Sequence, residues 1–340
     1  KILPNRYSDA ACYRGLAREI AALCNLPYKE AKSVIPKAAH KNTIQPVIEV
    51  PNLCSRLMAC RIEKIAHRET PQWMRDALMV YGIRSIGGIV DITNYVTIET
   101  GQPLHAFDAD KMNGGELVAR QAREGEIVET LDGKKITLNP SALVLSDARN
   151  ALDIAGIKGG TRAEITTATK NILLTAGNFD GTLIYKTAKR VGITTDASIR
   201  FSHNISPALA EHGMARAVEL IIEICGGGSG KISDAYPKPI VPTPLLFDVR
   251  RFNALTGAGL TEARCFAHLK KLGFLIAGKK VTPPAERTDI TRFEDVAEEI
   301  MRLEGYANLP ATPPCVTVAV SLADPMRRLK DDVQNILVSF

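Results

Sequence analysis

The sequence has 340 residues, of which 45% are hydrophobic, 24% charged and 5% aromatic, and its formal net charge is +6. This length allows two or three domains, and the apolar content supports a buried core and excludes bulk disorder. The mild positive charge permits a phosphate-rich partner without requiring one, and so few aromatic residues argue against binding by extensive base stacking.

The apolar runs are too short to cross a bilayer, and no signal peptide follows Lys1. Seven cysteines, none of them in a Cys-x-x-Cys pair, indicate reduced thiols in a cytoplasmic protein rather than a disulfide framework or a zinc site. The chain lacks an initiator methionine, and Phe340 interrupts an amphipathic segment. Both ends therefore indicate a fragment of a longer chain.

The first predicted element is a helix in PNRYSDAACYRGLAREIAALCNLP, capped by Ser8 or Asp9. A polar connector over residues 28–50 leads to LMACRIEKI, which alternates as a strand does, and then to a short helix that ends at Gly82. The next segment, IGGIVDITNYVTIE, is rich in β-branched residues. It predicts a buried strand that continues into something more helical.

Strands separated by turns are predicted from about residue 110 to 190, with an Asp-Gly hairpin at Asp132 and Gly133. GTLIYKTAKRVG and SPALAEHGMARAVELIIEICGGG predict helices, and the proline-rich stretch 235–244 predicts a domain boundary. A small module follows, whose last helix begins with a capping box of Thr291 and Glu294. The first and last of these helical regions share a pattern that indicates a duplicated module.

Three segments carry unusual polar content. His105, in TNYVTIETGQPLHAFD, follows a rigid Gly-Gln-Pro break where neither helix nor strand is expected, so it either packs against Phe107 or lines a site. The small residues of AGIKGG, 155–160, allow a ligand to approach the backbone or form an ordinary turn. GITTDASIRF places Thr195 and Ala197 on a loop. Hydroxyl groups there either bind a ligand or cap the N-terminus of a helix.

Together these segments predict a polar pocket of hydroxyls, an amide, an imidazole and glycine backbone. This inventory suits an ester and a sugar, with water as the nucleophile. Covalent catalysis is not indicated, because no Gly-x-Ser-x-Gly elbow or catalytic Cys/His signature is present. Without a GxxxxGK[ST] loop, the chain is not expected to hydrolyse nucleoside triphosphates.

A fourth, acidic set surrounds the start of the last helix of the small module. Its oxygen ligands could hold Mg²⁺, or the acids could favour a helix N-terminus while facing outward, with an ion pair between Glu298 and Arg302. The set comprises Asp289, Asp295, Glu298 and Glu299.

Five motifs in order, over nearly the whole chain, resemble the β subunit of bacterial-type phenylalanyl-tRNA synthetase. They are PNR…GLAREIAAL, VDITNYV…GQPLHAFD, AGIKGG, TDASIRF and RTDITRFEDVAEEIMRLEGY. The resemblance implies an α+β fold, in which a mixed or antiparallel sheet forms a tRNA-editing domain flanked by small helical modules, winged-helix-like and of a DNA-binding type. The implied domains are half of a helical module (1–50), the editing domain (51–236), a second module (244–313) and the start of a truncated catalytic-like domain (320–340).

The same resemblance implies hydrolysis of Tyr-tRNA(Phe) in a site of nine residues and a role in charging tRNA(Phe). The full enzyme would be an α2β2 heterotetramer that uses ATP, which this fragment would not bind, and Mg²⁺ would lie where the acidic set contacts the α subunit. The implied catalytic residues are Thr93, Asn94 and His105; the implied substrate-binding residues are Pro103, Ala155, Gly156, Thr175, Thr195 and Ala197.

The chain departs from this family's pattern at two places. Thr175 stands where most relatives have a glutamate associated with recognition of the tyrosine hydroxyl, and RFSHN (Arg200 to Asn204) replaces RFERG. A hydroxyl forms a weaker hydrogen bond to a phenol than a carboxylate does. Two alternatives therefore stay open: a scaffold that positions tRNA with editing weakened or lost, and a free-standing nucleic-acid-binding module, which the lack of a basic recognition helix disfavours.

Overall fold

The computed structural model describes residues 2–30, 33–309 and 324–339, in two compact units, Lys1–Tyr306 and Ala307–Phe340. None of the helices in these ranges is long and apolar enough to cross a membrane. The first unit contains helices and mixed or antiparallel sheets, so the predicted α+β class is confirmed.

The first unit begins with helices and then alternates strands and helices through residue 235. In chain order the elements are α1 Tyr7–Ala10, α2 Tyr13–Leu23, β1 Gln45–Ile48, β2 Cys54–Glu63, α3 Gln72–Tyr81, α4 Gly88–Thr100, β3 Leu104–Asp108, β4 Glu116–Gln121, β5 Ile127–Glu129, β6 Lys135–Thr137, β7 Leu143–Ser146, β8 Ala151–Ile154, β9 Lys158–Gly159, β10 Ile172–Phe179, α5 Gly181–Val191, α6 Asp196–Ser202, α7 Leu209–Cys225, β11 Gly228–Ser229 and β12 Ser233–Ala235.

Two sheets organise this region. One has the order β1-β4-β7-β8-β9, with β1 parallel to β4 and the other pairs antiparallel; the second has the order β11-β2-β10-β3, and β12 also pairs with β2. Strand β2 is buried on both faces, since Leu57 lies in the core beside the first sheet while Met58 lies in a second core that includes residues of α4 and α7. A strand covered on both faces needs apolar residues at consecutive positions.

The segment IGGIVDITNYVTIE, predicted as a buried strand that continues into something more helical, forms helix α4 from Gly88 onwards, so the strand part of the prediction is wrong. The Asp91 carboxylate accepts hydrogen bonds from the Ser85 and Thr70 hydroxyls and from two backbone amides, those of Ile86 and Gly87, just before the helix. Packing of α4 against α3 and α7 completes the stabilisation. These tertiary contacts outweigh the low helix propensity of β-branched residues.

His105 was predicted to lie outside regular structure, and this too is wrong. Helix α4 ends at Gly101, whose φ of +88° is the left-handed conformation that glycine adopts readily. The chain turns through Gln102 and Pro103, and the buried Gln102 amide donates hydrogen bonds to the carbonyls of Pro103 and Gly177. The chain therefore enters β3 one residue before His105.

The segment predicted as one N-terminal helix forms two. Ser8 and Asp9 are buried within α1 rather than capping it, and the Cys12 Sγ accepts the N–H of Gly15 at the start of α2. A side chain at position 15 would overlap the Asp9 carbonyl oxygen, because an added Cβ would lie 1.6 Å from it. The two short helices can pack this closely only with glycine there.

The small module after the proline-rich stretch is a three-stranded sheet packed with helices. Its elements are β13 Leu245–Leu246, α8 Val249–Thr256, α9 Glu262–Lys271, β14 Leu275–Ala277, β15 Lys280–Thr282 and α10 Phe293–Glu304, with the strand order β13-β15-β14. Phe247, Phe252 and Leu269 are fully buried and provide its core. The predicted capping box at α10 lies one residue further along the chain: Arg292 is the N-cap instead of Thr291, and Asp295 instead of Glu294 accepts the Arg292 backbone N–H.

The second unit contains α11, Pro325–Val338, as the amphipathic pattern predicted. Asp324 caps it by accepting the N–H of Met326. Residues 310–323, which carry part of the predicted module and the start of the predicted catalytic-like domain, lie outside the described residues. The four predicted domain boundaries stay predictions.

Candidate active site

A pocket of about 90 Å³ opens where β3 and β10 of one sheet meet β8 and β9 of the other. Helix α6 closes one side through Ala197 and Phe201. The pocket thus collects residues from distant parts of the chain into one apolar chamber with a few polar groups. Its lining consists of Pro103, Leu104, His105, Leu145, Asp153, Ile154, Gly156, Ile157, Lys158, Gly159, Thr175, Gly177, Phe179, Ala197 and Phe201.

Two glycines of AGIKGG set the shape of this chamber. Gly156 has a φ of +69°, and an added Cβ there would lie 2.9 Å from the Phe201 ring and 3.0 Å from the Phe179 ring. At Gly159 an added Cβ would lie 2.7 Å from Cε1 of His105. The sequence left open a close approach by a ligand or an ordinary turn here, and the structure shows that side chains of the protein itself approach these glycines.

The His105 imidazole lines the pocket in a mainly apolar setting. The ring packs edge-on against Phe107 with centroids 4.5 Å apart, and its Cε1–Nε2 edge faces Gly159. Burial lowers the pKa of His105 to about 4, because a charged imidazolium would lose its hydration there. The ring is therefore neutral at physiological pH and presents a nitrogen lone pair.

Thr175 lies opposite His105 in the register between β10 and β3. Its hydroxyl donates to the His105 carbonyl oxygen at 3.1 Å. The hydroxyl proton is thus committed to the sheet, and only the oxygen lone pairs remain for a ligand.

Asp153 is a pocket residue that the sequence analysis missed. The residue is 5% exposed, and its Oδ1 accepts the N–H of Leu145 at 3.1 Å across the β7–β8 pair. Burial raises the pKa of Asp153 to about 7. One signal in the sequence could have found it, namely a single aspartate inside the otherwise apolar run ALDIAG.

Four of the predicted site residues do not line the pocket. Thr93 and Asn94 lie on α4, where the Thr93 hydroxyl donates to the Val90 carbonyl at 2.8 Å. Ala155 is buried in the core next to the pocket turn. Thr195 caps α6 by accepting the N–H of Ser198, as its alternative interpretation held, and ties that helix to the pocket by donating to the Ile157 carbonyl at 3.0 Å.

The structure thus brings together Pro103, His105, Gly156, Thr175 and Ala197 from the predicted set. Ala197 lies in the first turn of α6 rather than on a loop. Direct roles for Thr93, Asn94, Ala155 and Thr195 remain predictions, and Thr195 has a structural role in holding α6 against the pocket turn.

The acidic set does not converge on one point. Both carboxylate oxygens of Asp289 accept hydrogen bonds from Arg287 at 2.8 Å, and Asp295 accepts backbone N–H groups at the start of α10. Glu298 is exposed, whereas Glu299 is 4% exposed, so the expectation that the acids all face outward is wrong. Arg302 pairs with Glu299 at 2.7 Å rather than with Glu298, which corrects the predicted ion pair.

These carboxylates do not fit a magnesium ion as the structure places them. Mg²⁺ needs oxygens that meet in octahedral geometry, and here the oxygens of Asp289 and Glu299 are engaged by arginines. Within the described ranges, no group of three or more His, Cys, Asp or Glu is arranged to hold a metal ion. Magnesium binding remains a prediction.

The chain matches two family models and a set of curated proteins. Residues 53–226 match the B3/4 domain, and residues 245–306 match the tRNA synthetase B5 domain. The chain is similar to the phenylalanine–tRNA ligase β subunit of Methylococcus capsulatus (35% identity over 99% of this chain and 43% of that protein). A second β subunit, from Pectobacterium atrosepticum, is 37% identical over 92% of this chain and 40% of its own length.

The chain therefore spans less than half the length of these curated relatives, and the resemblance predicted from the motifs is confirmed. A solved N-terminal fragment of the phenylalanyl-tRNA synthetase β subunit from Pyrococcus horikoshii is 15% identical, with a TM-score of 0.44, and the match covers 89% of this chain and 85% of that one.

Proposed function

Because the chain belongs to the B3/4 domain family, we propose that it is the central part of a phenylalanine–tRNA ligase β subunit and that its pocket hydrolyses mischarged Tyr-tRNA(Phe). The observation that carries this proposal is a neutral imidazole in an apolar chamber whose lining, among the described residues, contains no serine or cysteine and whose threonine hydroxyl, that of Thr175, donates to a backbone carbonyl and not to a base. A site without such a nucleophile suits direct attack by water on an ester carbonyl.

In the proposed reaction the water oxygen bonds to the carbonyl carbon, and the ester bond to the terminal ribose breaks. One water proton passes to the ribose oxygen and the remaining O–H becomes part of the new carboxyl group, so the products are free tyrosine and tRNA with its hydroxyl restored. The neutral His105 ring can accept a hydrogen bond from the water and hold it against the carbonyl. Because the pKa of His105 is about 4, the ring stays in this form down to weakly acidic pH.

We expect His105→Ala to lower the rate of Tyr-tRNA(Phe) hydrolysis by about 100-fold, the lower end of the range for a lost acid–base or positioning group. The ring packs on Phe107, so its removal also tests the packing alternative. The measurement is deacylation by the full-length β subunit with its α partner, together with the melting temperature. His67→Ala is the matched control, because this exposed residue bonds the Thr169 carbonyl and lies outside the pocket lining.

A large loss of stability with normal hydrolysis in His105→Ala would restore the packing role and contradict the proposal. The scaffold alternative has one supporting observation, the commitment of the Thr175 hydroxyl to the backbone. If wild-type protein leaves Tyr-tRNA(Phe) intact while still supporting charging of tRNA(Phe), the scaffold function is the correct one.

The wider proposal concerns the whole protein, of which this chain is a part. The partners proposed are the α subunit, in an α2β2 heterotetramer, and tRNA(Phe); the full enzyme would use ATP for charging in the cytoplasm. Synthesis would take place outside this chain. The α subunit would also complete the magnesium site at the acidic set.

We therefore expect the chain alone to bind Mg²⁺ weakly or not at all, because Arg287 occupies the oxygens of Asp289 and Glu299. Addition of the α subunit should produce measurable binding in titration calorimetry. Glu298→Gln changes the exposed member of the set without touching the arginine pairs, and it should weaken only the binding that depends on the α subunit. Equal Mg²⁺ affinity with and without the partner would contradict the shared site.

A further inference from the structure

The geometry points to Asp153 as the residue that selects the aminoacyl group, by accepting a hydrogen bond from the phenol of a hydroxylated aromatic side chain. This inference rests on the proposed function, since it assigns a specificity determinant to the same pocket. It commits to one chemical class of acyl group, an aromatic ring with a hydroxyl, over the same ring without it.

Asp153 is a buried residue, and only one of its two carboxyl oxygens has a hydrogen-bond partner in the part of the protein that the structure describes. Its Oδ1 accepts the Leu145 N–H, whereas Oδ2 has no hydrogen-bond partner among the described residues. Asp153 lines the pocket although it is only 5% exposed. Oδ2 is not among the buried side-chain atoms without a partner, so it keeps some contact with solvent, and a donor supplied by a ligand would replace that solvent.

The position of Asp153 brings it close to the proposed reacting group. Asp153 pairs with Gly159 in the β8–β9 register, and a Cβ added at Gly159 would lie 2.7 Å from Cε1 of His105. The carboxyl and the imidazole thus both neighbour one glycine. A substrate that reaches both would span the pocket.

The walls of the chamber suit an aromatic ring. Phe179 and Phe201 pack edge-to-face with centroids 5.0 Å apart, and both line the pocket. Gly156 and Gly177 lie next to these phenyl rings, and only glycine fits there. An added Cβ at Gly177 would lie 2.3 Å from the Phe179 ring. Aromatic side chains favour such edge-to-face and offset contacts with other rings.

Competing polar groups in the lining are less suited to a phenol. The Thr175 hydroxyl already donates to the His105 carbonyl, and a neutral hydroxyl oxygen accepts more weakly than a carboxylate. Lys158, half-buried in the lining, has no acceptor in its side chain when charged. Burial raises the pKa of Asp153 to about 7, so at neutral pH the carboxyl has an ionised population that accepts strongly and a protonated one that still accepts through its carbonyl oxygen.

The test compares hydrolysis of Tyr-tRNA(Phe) and Phe-tRNA(Phe) by the full-length αβ complex. We expect Asp153→Ala to reduce the ratio of kcat/KM for tyrosyl over phenylalanyl ester by at least about tenfold, since sites built for a substrate hydroxyl can discriminate by roughly 10⁴-fold. Asp153→Asn keeps an acceptor oxygen and should retain part of the preference. Asp147→Asn is the matched control, because Asp147 is buried beside β7 but bonds Asn113 and the backbone of its own turn.

Binding gives a second readout that does not depend on hydrolysis. The probes are 3′-amino-3′-deoxyadenosine amides of tyrosine and phenylalanine, which cannot be hydrolysed as esters, titrated calorimetrically into the same complexes. We expect wild type and Asp147→Asn to prefer the tyrosyl amide by at least about tenfold, and Asp153→Ala to bind both alike.

The outcomes separate this inference from the proposed function. If the Asp153→Ala complex keeps the tyrosyl preference, in hydrolysis or in binding, the inference is overturned, but the proposed hydrolytic function is not. An equal loss for both esters also overturns it, because Asp153 would then contact a group common to both substrates. A wild type that hydrolyses neither ester overturns the proposed function, and a tyrosyl binding preference lost in Asp153→Ala would still support Asp153 as the selective group.

Discussion

Arg287→Ala is expected to destabilise the first unit by about 3–5 kcal/mol, because removal of one partner leaves buried charges uncompensated. The Arg287 side chain is 3% exposed and donates to Glu299 at 2.7 Å and to both oxygens of Asp289 at 2.8 Å. Glu299 also pairs with Arg302, which in turn pairs with Glu19 on α2. The network therefore joins the start of the chain to α10.

The acid dependence of stability gives an independent check of the same network. Burial alone would raise the pKa of Glu299, but hydrogen bonds from Arg287 and Arg302 lower it to about 2. A carboxyl whose pKa is lowered on folding stabilises the protein above its unfolded pKa, and this contribution is lost as the pH falls through the folded value. Wild type should lose stability between about pH 4.5 and pH 2, and Arg287→Ala should show a smaller change in that range.

The measurement is the melting temperature of Arg287→Ala and of the control Arg251→Ala, each compared with wild type. Arg251 pairs with Glu294, and both side chains are about half exposed (59% and 48%). Exposed pairs contribute roughly 0–1 kcal/mol, and the Arg251 guanidinium also lies 4.2 Å from the centroid of the Phe293 ring, a contact worth about 0.5–1 kcal/mol, so the control should lose clearly less stability than Arg287→Ala. Equal effects of the two substitutions would mean that the buried network contributes no more than a surface ion pair.

Local sequence patterns predicted the elements that have their own local signal, such as one apolar face or a turn sequence. Helix α7 has apolar residues at helical spacing and ends at Cys225, before glycine, and the β5–β6 hairpin turns at Gly133 with a φ of +79°. The first part of helix α4 was predicted as a strand because its β-branched sequence favours a strand, while the helix is stabilised by Asp91 and by packing against α7. Neither of those contacts is visible in a local pattern.

The site was predictable to the extent that its residues lie in recognisable motifs. His105, Gly156 and Ala197 belong to quoted motifs, and the structure places all three in one pocket lining. Asp153 was missed because its importance depends on the β7–β8 and β8–β9 registers, which place it beside the pocket. The burial of Glu299 was missed for a similar reason, since its carboxylate pairs with Arg287, twelve residues away in sequence, and with Arg6, near the start of the chain.

The Asp153 carboxyl should also make the stability of the protein fall as the pH rises towards neutrality. Burial raises its pKa from 3.8 to about 7. Between these values the folded state holds a proton that the unfolded state has released, so stability is fully present below about pH 4 and decreases until the pH passes 7. A shift of this size corresponds to at most about 4 kcal/mol.

We expect Asp153→Asn to gain stability relative to wild type on going from pH 4 to pH 8, by up to that amount, because an amide does not ionise. Any cost of placing an amide in the pocket is the same at both pH values and cancels, so the change with pH in the difference between the two melting temperatures is the quantity to measure. Asp147→Asn should keep a nearly constant difference from wild type over this range. Burial of Asp147 would raise its pKa, but hydrogen bonds from Asn113 and from the amides of Asn150 and Arg149 lower it below 3.8, so its contribution to stability is almost complete by about pH 4 and is lost only at lower pH. If the melting temperatures of wild type and Asp153→Asn change in parallel with pH, the Asp153 carboxyl ionises in the folded state without a penalty. The pocket would then hold a well-solvated carboxylate, which has no need of a hydrogen-bond donor from a ligand.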